Sequence, residues 1–293
     1  MAFASKTYGI PYMGSKSQIA PWVISKLPRA DVFVDLFAGG CAITHAALLS
    51  GKYKRFVVND ITDAPKLFCD AIAGKYRDEK RWISREDFFR LKDTDPYIRL
   101  CWSFGNNQKG YLYSEKIEPY KKALHYALYF NDASLLRSLG IVLPQNLVDM
   151  AISPTKYQRM KDVVKKQFNH RLELQANEAL ERLQALERLE RLQAFYADVP
   201  IPNNAVVYCD PPYRGTQGYG GSFDFEKFDN WLRTASQPIF VSEYSMPKDF
   251  KRIAATNKKA IFSQAKDCNR KDVIESIYVH EKWYAKVKNT QTQ

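Results

Sequence analysis

Ten residues, Asp31 to Gly40 (DVFVDLFAGG), restrict the fold of this chain more than any other stretch. Val32, Phe33, Val34, Leu36 and Phe37 form a nearly continuous apolar run, which suits a parallel strand covered on both faces. Ala38-Gly39-Gly40 then lets the backbone turn sharply and come close to a ligand before a helix over Cys41 to Leu49. A second strand, Arg55 to Val58, ends at Asn59-Asp60. The product is a β-α-β unit with an acid at the tip of its second strand, where nucleoside-binding sheets receive ribose hydroxyls. The turn reads F-A-G-G-C-A-I, not G-x-G-x-x-G, so nothing in it cradles two phosphates. A nucleoside without a pyrophosphate fits better.

A second punctuation mark is Asp210-Pro211-Pro212-Tyr213, after the apolar run Ala205 to Cys209 and before the glycine-rich residues 215 to 221. Proline cannot donate to a sheet ladder, so the strand must stop there. The two prolines restrict the backbone and hold an acid and a flat ring in fixed relation at a strand's carboxyl end. Taken locally, an ordinary Pro-Pro turn explains these residues equally well.

Strand-like runs recur at Ile239 to Ser242, Ala260 to Phe262 and Ile274 to Val279. Between the early and late strands, helical, polar and aromatic stretches dominate. This pattern predicts one sheet domain, residues 1–64 and 200–293, interrupted by an inserted domain over 65–199. A helix is expected over Ala64 to Tyr76, and another over Ser17 to Leu27, where Ile19, Trp22, Val23 and Leu27 stand near helical spacing. Ahead of that helix, Gly9 and Gly14 have P-loop spacing, but Ser15 stands where the phosphate-binding lysine belongs and no apolar strand leads in. Lys16 is left as either a cation beside an anionic ligand or a solvated helix-start lysine.

The chain carries 44 basic and 32 acidic residues, a net charge of +12, which favours a polyanionic partner, with a merely solvated basic face as the alternative. Two stretches of the insert could meet such a partner. Arg99 to Ser114 mixes Trp102, Phe104, Tyr111 and Tyr113 with Asn106, Asn107, Gln108 and Lys109, a composition suited either to a loop entering nucleic acid or to a polar hairpin tip. Ser153 to Arg171 carries Lys156, Arg159, Lys161, Lys165, Lys166 and Arg171 against Asp162, offering phosphate contacts if helical, or only a solvated face. Residues 178–194 hold a leucine repeat with period three, which drifts around a helix and makes no heptad seam. A helical low-complexity segment is expected there, with Glu178–Arg182 and Glu187–Arg191 pairs worth about 0.2–0.5 kcal/mol each. Five scattered cysteines without a CxxC argue against a disulfide framework or zinc site. The first residues hold no apolar signal core, and no stretch approaches a membrane span, so a cytoplasmic protein is expected.

In order, Tyr12-Met-Gly-Ser-Lys16, Asp35-Leu-Phe-Ala-Gly-Gly40, Asp60, an insert and Asp210-Pro-Pro-Tyr213 resemble the Dam-like, D12-class DNA adenine-N6 methyltransferases. Thr216, Tyr219, Phe223-Asp224, Phe228 and Trp231 are similar to the stretch after the catalytic motif in phage-type members. The resemblance covers roughly 1–64 and 200–293 and is weak across the insert. It implies an α/β fold, a Rossmann-like sheet that binds S-adenosylmethionine, with an inserted, mainly helical target-recognition domain. It further implies cofactor contacts from Tyr12, Lys16, Asp35, Phe37, Gly39, Gly40, Asp60 and Asp210, with Lys16 and Asp35 near the methionine end and Asp60 at the ribose. Double-stranded DNA would be held through Asn106, Asn107, Lys109, Lys156, Arg159, Lys165, Lys166 and Tyr219, with Tyr219 closing as a lid. The target adenine would flip out, Tyr213 would stack on it, and Asp210 and the Pro211 carbonyl would take its amine, with Pro212 stiffening the turn. No metal is implied. A monomer is expected, and a cognate restriction nuclease is an open partner.

Cytosine-N4 methylation uses a similar motif, although Asp rather than Ser at 210 favours adenine. Cytosine-C5 chemistry needs a nucleophilic cysteine, and Cys209 precedes the acid within a strand. A catalytically silent DNA-binding module is the remaining alternative, against which Asp210, Tyr213 and Gly39-Gly40 stand intact. Glu243 and Tyr244 occupy a position where some relatives differ, and no role follows for them from sequence.

Overall fold

Short β-branched and aromatic runs that alternate between two apolar faces have one stable arrangement, a sheet with cover on both sides. The computed structural model, which describes residues 8–150, 153, 155–156, 158–160, 162, 186–214, 223–259 and 272–291, has this arrangement. In chain order the first elements are α1 (Ala20–Lys26), β1 (Val32–Asp35), α2 (Ala42–Leu49), β2 (Arg55–Asn59) and α3 (Ala64–Ile72). A helical region follows with α4 (Arg85–Leu91), α5 (Pro96–Cys101), α6 (Glu118–Tyr129), α7 (Ser134–Ser138) and α8 (Gln145–Val148). The sheet resumes with β3 (Leu189–Leu192), β4 (Val206–Cys209), α9 (Phe225–Thr234), β5 (Ile239–Glu243), β6 (Phe250–Lys259) and β7 (Asp272–His280), and α10 (Glu281–Gln291) comes last.

The seven strands lie in the order β3-β2-β1-β4-β5-β7-β6. The first five are parallel, while β7 runs antiparallel to both β5 and β6. Alternation along each strand sorts the core into two layers. Phe33, Phe56, Val58, Val206, Tyr208, Phe240, Ile277 and Val279 pack with Val23 and Ile24 of α1, Ala46 and Ala47 of α2, Phe68 of α3 and Val287 of α10. Val32, Val34, Val57, Val207, Cys209, Ile239 and Val241 pack with Tyr196, Val199, and Phe228 and Leu232 of α9. Each fully buried aliphatic or aromatic side chain contributes roughly 1.5–3 kcal/mol, so the two layers dominate the stability of this unit.

The chain divides into two compact units, Met1–Ala73 with Glu181–Gln293, and Gly74–Leu180. These limits differ from the expected 64 and 200. Phe68 anchors α3 in the first core layer, and β3 pairs with β2 from Phe56↔Leu189 to Asn59↔Leu192, so both belong with the sheet. The end of the leucine repeat is therefore strand rather than helix. Arg188 directs this, since its guanidinium donates to the carbonyls of Tyr53 and Lys54 beside β2. The expected strand at 260–262 and the first half of the repeat, to residue 185, lie outside the described residues, while β6 is an additional strand whose polar sequence carried no apolar run.

The second unit is mainly helical and has its own two cores. One joins Leu124, Ala127 and Leu128 of α6 to Leu136 of α7, Leu147 of α8 and Met160. The other gathers Ile83, Phe88, Ile98, Trp102 and Tyr111. Among the described residues no helix is long and apolar enough to cross a membrane.

Candidate active site

In the sheet unit the chain turns from β1 to β2 and β3 on one side, and to β4 and β5 on the other. The crevice beyond the carboxyl ends of β1 and β4 is the topological switch point, where sheets of this kind receive ligands. Asp35 ends β1 and Asp210 follows β4, with the Leu36 N–H donating to the Tyr208 carbonyl to tie the two strand ends. Asp35 is buried. The Thr44 hydroxyl of α2 donates to its Oδ2 at 2.7 Å, whereas Oδ1 has no hydrogen-bond partner among the described residues. Burial pushes this carboxyl up to about 7, with the charges of Asp210 and Asp60 adding to the rise and the Thr44 hydrogen bond opposing it.

Beyond β1 the glycine turn is held from three sides. The Ala38 N–H donates to the Asn59 carbonyl at 2.9 Å, the Gly39 N–H to Asp60 Oδ2 at 2.8 Å, and the Ile10 N–H to the Gly40 carbonyl at 2.8 Å. Asp60 Oδ1 accepts from the Thr62 N–H and hydroxyl, which fixes the carboxylate at the tip of β2. Tyr12 lies across the turn. A Cβ on Gly40 would come within 2.6 Å of the Tyr12 Cβ, and one on Gly39, whose φ is +46°, within 2.9 Å of the Tyr12 ring. The glycines thus make room for Tyr12 as well as allowing the turn. The Phe37 side chain packs with Tyr196, Phe223 and Phe228 at ring separations of 5.3–5.9 Å, so it belongs to the second core layer rather than to the crevice expected for a cofactor contact.

Around Asp210 the structure assembles groups from distant parts of the chain. Lys16 Nζ is 2.9 Å from Asp210 Oδ1, 3.8 Å from Glu275 Oε1 and 4.3 Å from the centre of the Tyr213 ring. Burial alone would push the Lys16 ammonium down; the charges of Asp210 and Glu275 more than offset it and hold the group up. The lysine is therefore not a solvated helix-start residue; it is buried between two carboxylates. Tyr213 is 8 % exposed, donates its hydroxyl to Glu275 and meets Tyr244 edge-on at 4.6 Å. Glu243, at the end of β5, accepts from the backbone N–H groups of Arg214 and Tyr244, and Arg214 in turn pairs with Asp229 of α9 at 2.6 Å. That assigns Glu243 to the geometry of the turn after the two prolines. Cys209 is buried, which pushes its thiol well up and leaves it a poor nucleophile.

Sequence reasoning missed Glu275. It sits on β7, far from every motif, and its one signal is a carboxylate inside an otherwise apolar strand run. Among the described residues at the strand ends of the sheet unit, Asp35, Asp60, Asp210, Glu243 and Glu275 outnumber the cations Lys16 and Arg214. In a strongly basic chain this acidic crevice suits a ligand that carries positive charge.

In the second unit, Asn106 and Asn107 hold their own loop. Asn106 Nδ2 donates to the Leu100 carbonyl, and Asn107 Oδ1 accepts from the N–H groups of Lys109 and Gly110. Phe104, 61 % exposed, and Lys109 are the outward residues of this loop. Lys156 is a correction to its expected phosphate contact. It is 2 % exposed, and its ammonium donates to the Val148 and Met150 carbonyls at 2.8 Å each, capping the end of α8. Arg159 stays exposed beside Met150. Lys165, Lys166 and Tyr219 lie outside the described residues.

A family model described as D12 class N6 adenine-specific DNA methyltransferase matches residues 12–290. No individual curated protein matches the chain.

Proposed function

Because the chain belongs to the D12 class of N6 adenine-specific DNA methyltransferases, we propose that the crevice between β1 and β4 joins S-adenosylmethionine to an adenine flipped out of duplex DNA. The observation that carries this reading is the convergence of Lys16, Asp35 and Asp210-Pro-Pro-Tyr213 at one switch point. S-adenosylmethionine, when bound, supplies an electrophilic methyl group on a sulfonium sulfur and brings an ammonium group. The buried, unpartnered Asp35 Oδ1 and the surplus of carboxylates fit those positive charges. Asp35 would hold the ammonium, and the Gly39-Gly40 turn with Tyr12 would bound the site. Asp60 would take a ribose hydroxyl through the acceptor position left over from its three bonds to Gly39 and Thr62, since a carboxylate offers about four such positions. Phe37 would contribute through its backbone.

On the acceptor side, Asp210 keeps 18 % of its side chain exposed despite the Lys16 contact. Its carboxylate and the Pro211 carbonyl accept hydrogen bonds from the exocyclic amine. These bonds localise the lone pair that conjugation otherwise spreads into the ring, and they strengthen as positive charge develops on nitrogen. Rigid placement by the two prolines supplies orientation. An adenine inside a duplex is out of reach, so it leaves the stack at a cost of a few kcal/mol and rests against Tyr213. The edge of Tyr244, 42 % exposed, must yield for that contact. The helical unit serves target recognition, through Phe104, Asn106, Asn107, Lys109 and Arg159, with Lys165 and Lys166 in the same role, and Tyr219, after the catalytic motif, closes over the base as a lid.

Incubating the protein with radiolabelled S-adenosylmethionine and duplex DNA, then analysing nucleosides, tests the reading. Label is expected in N6-methyladenine; label in N4-methylcytosine, or none at low salt, overturns it. Asp210→Ala is expected to lower transfer by about 100-fold or more while equilibrium dialysis shows cofactor affinity kept. Lost affinity would move Asp210 to the cofactor site alone.

A further inference from the structure

We propose that Glu275 is a positioning residue for methyl transfer, holding the Tyr213 ring and drawing on Lys16 so that Asp210 stays a strong acceptor for the amine. The proposal rests on the reading above. Glu275 is fully buried on β7, opposite Thr256 of β6, and a lone buried carboxylate is costly unless it is bonded and paired. It contacts two site groups: the Tyr213 hydroxyl donates to Oε1, and Lys16 Nζ lies 3.8 Å from the same atom. Two effects follow.

The first is geometric. Tyr213 follows two prolines at the start of a loop, and its ring also meets the edge of Tyr244 and the cation of Lys16. Anchoring the phenol oxygen to β7, a strand paired on both sides, fixes the ring plane against which a base would lie.

The second is electrostatic. Lys16 is 2.9 Å from Asp210 and 3.8 Å from Glu275, so at equal screening Glu275 exerts about three-quarters of the attraction that Asp210 does. With two carboxylates sharing one ammonium the trio keeps a net negative charge. A neutral residue at 275 would leave Lys16 to neutralise Asp210 alone and weaken its hydrogen bonds to the amine.

Two substitutions separate these effects. Glu275→Gln keeps an acceptor for the phenol and removes the charge; Tyr213→Phe keeps the charge and removes the hydroxyl. Single-turnover methyl transfer is measured with cofactor and DNA saturating, alongside cofactor dissociation constants, after wild-type protein has been seen to form N6-methyladenine. Each variant is expected to transfer about 10- to 100-fold more slowly, the range set by one charge-assisted hydrogen bond. Cofactor affinity should stay within about two-fold of wild type, since Glu275 acts on the acceptor side. The double variant should lose less than the product of the two single losses. Should Glu275→Gln fail to fold, Tyr213→Phe, which deletes one hydroxyl, decides the geometric effect. Rates within about two-fold of wild type in both variants, or rate and cofactor affinity falling together as in a merely structural role, overturn the proposal. Wild-type protein that forms no N6-methyladenine instead overturns the reading beneath it, and Glu275's role falls with it.

Discussion

Asp35 shows how one residue can be kept in an unfavourable state for a purpose. Its carboxyl is raised from 3.8 to about 7, chiefly by burial. Between those values the unfolded chain has released the proton and the folded chain keeps it, so folding binds a proton. The associated stability is present below about pH 4, is lost as pH rises towards about 7, and changes no further above that. The ceiling is roughly 4 kcal/mol, from three units at about 1.4 kcal/mol each. Asp35→Asn removes the titration. Urea unfolding at pH 5 and pH 8 should show wild type losing a few kcal/mol more than the variant; equal losses would mean the carboxyl is already ionised in the fold. At this scale Asp35, Asp210 and Tyr213 stood out in sequence, because Asp35 interrupts an apolar run, Asp210 follows one and two prolines set Tyr213 apart from it. Glu275 and the buried state of Lys16 were not, since their partners are supplied by strands and turns remote in sequence.

Among the elements, the glycine turn and the N-terminal segment form one piece. Gly9, at φ +73°, packs against the Gly40 carbonyl, and its N–H donates to His45 of α2. Gly39→Ala should therefore cost about 2–4 kcal/mol, part from the left-handed backbone and part from collision with Tyr12. In a Tyr12→Ala background the added cost should drop to about 1 kcal/mol, the backbone share alone; an unchanged cost in thermal melts would show that Tyr12 is not what excludes a side chain there. In the second unit, Lys156→Ala leaves two carbonyls at the end of α8 without their donor. Amide exchange of α8 should speed up by about 10- to 100-fold, matching 1.5–3 kcal/mol; unaltered exchange would return Lys156 to the surface. The element most misread from sequence was β3. Leu189-Glu190-Arg191-Leu192 has good helix formers and a helical charge pattern, and only pairing with β2 and the Arg188 bonds make it a strand. By contrast β1, β2, β4 and β5, whose apolar runs pack on both faces, were visible at once.

For the whole molecule, the distribution of charge separates the two substrates. A net charge of +12 coexists with a crevice where, among the described residues, carboxylates are in excess. A polyanion is thus attracted to the protein at large, and a small cation is favoured at the strand ends. The two kinds of binding must respond differently to salt. Each phosphate neutralised releases condensed counterion, so the logarithm of DNA affinity falls with the logarithm of salt concentration at a slope of about −0.9 per contact. Buried pairs such as Lys16 with Asp210 are screened far less. Raising salt from about 50 to 200 mM should weaken DNA binding by several orders of magnitude if six or more phosphates are held, and should change cofactor affinity only slightly. Lys109→Ala and Arg159→Ala should each reduce the slope by about one. Lys156→Ala should leave it alone, because that ammonium already serves two carbonyls. Fluorescence anisotropy of labelled duplex across the salt series reads all three variants. A slope changed by Lys156→Ala but not by the other two would reverse the assignment of buried cap and exposed contact.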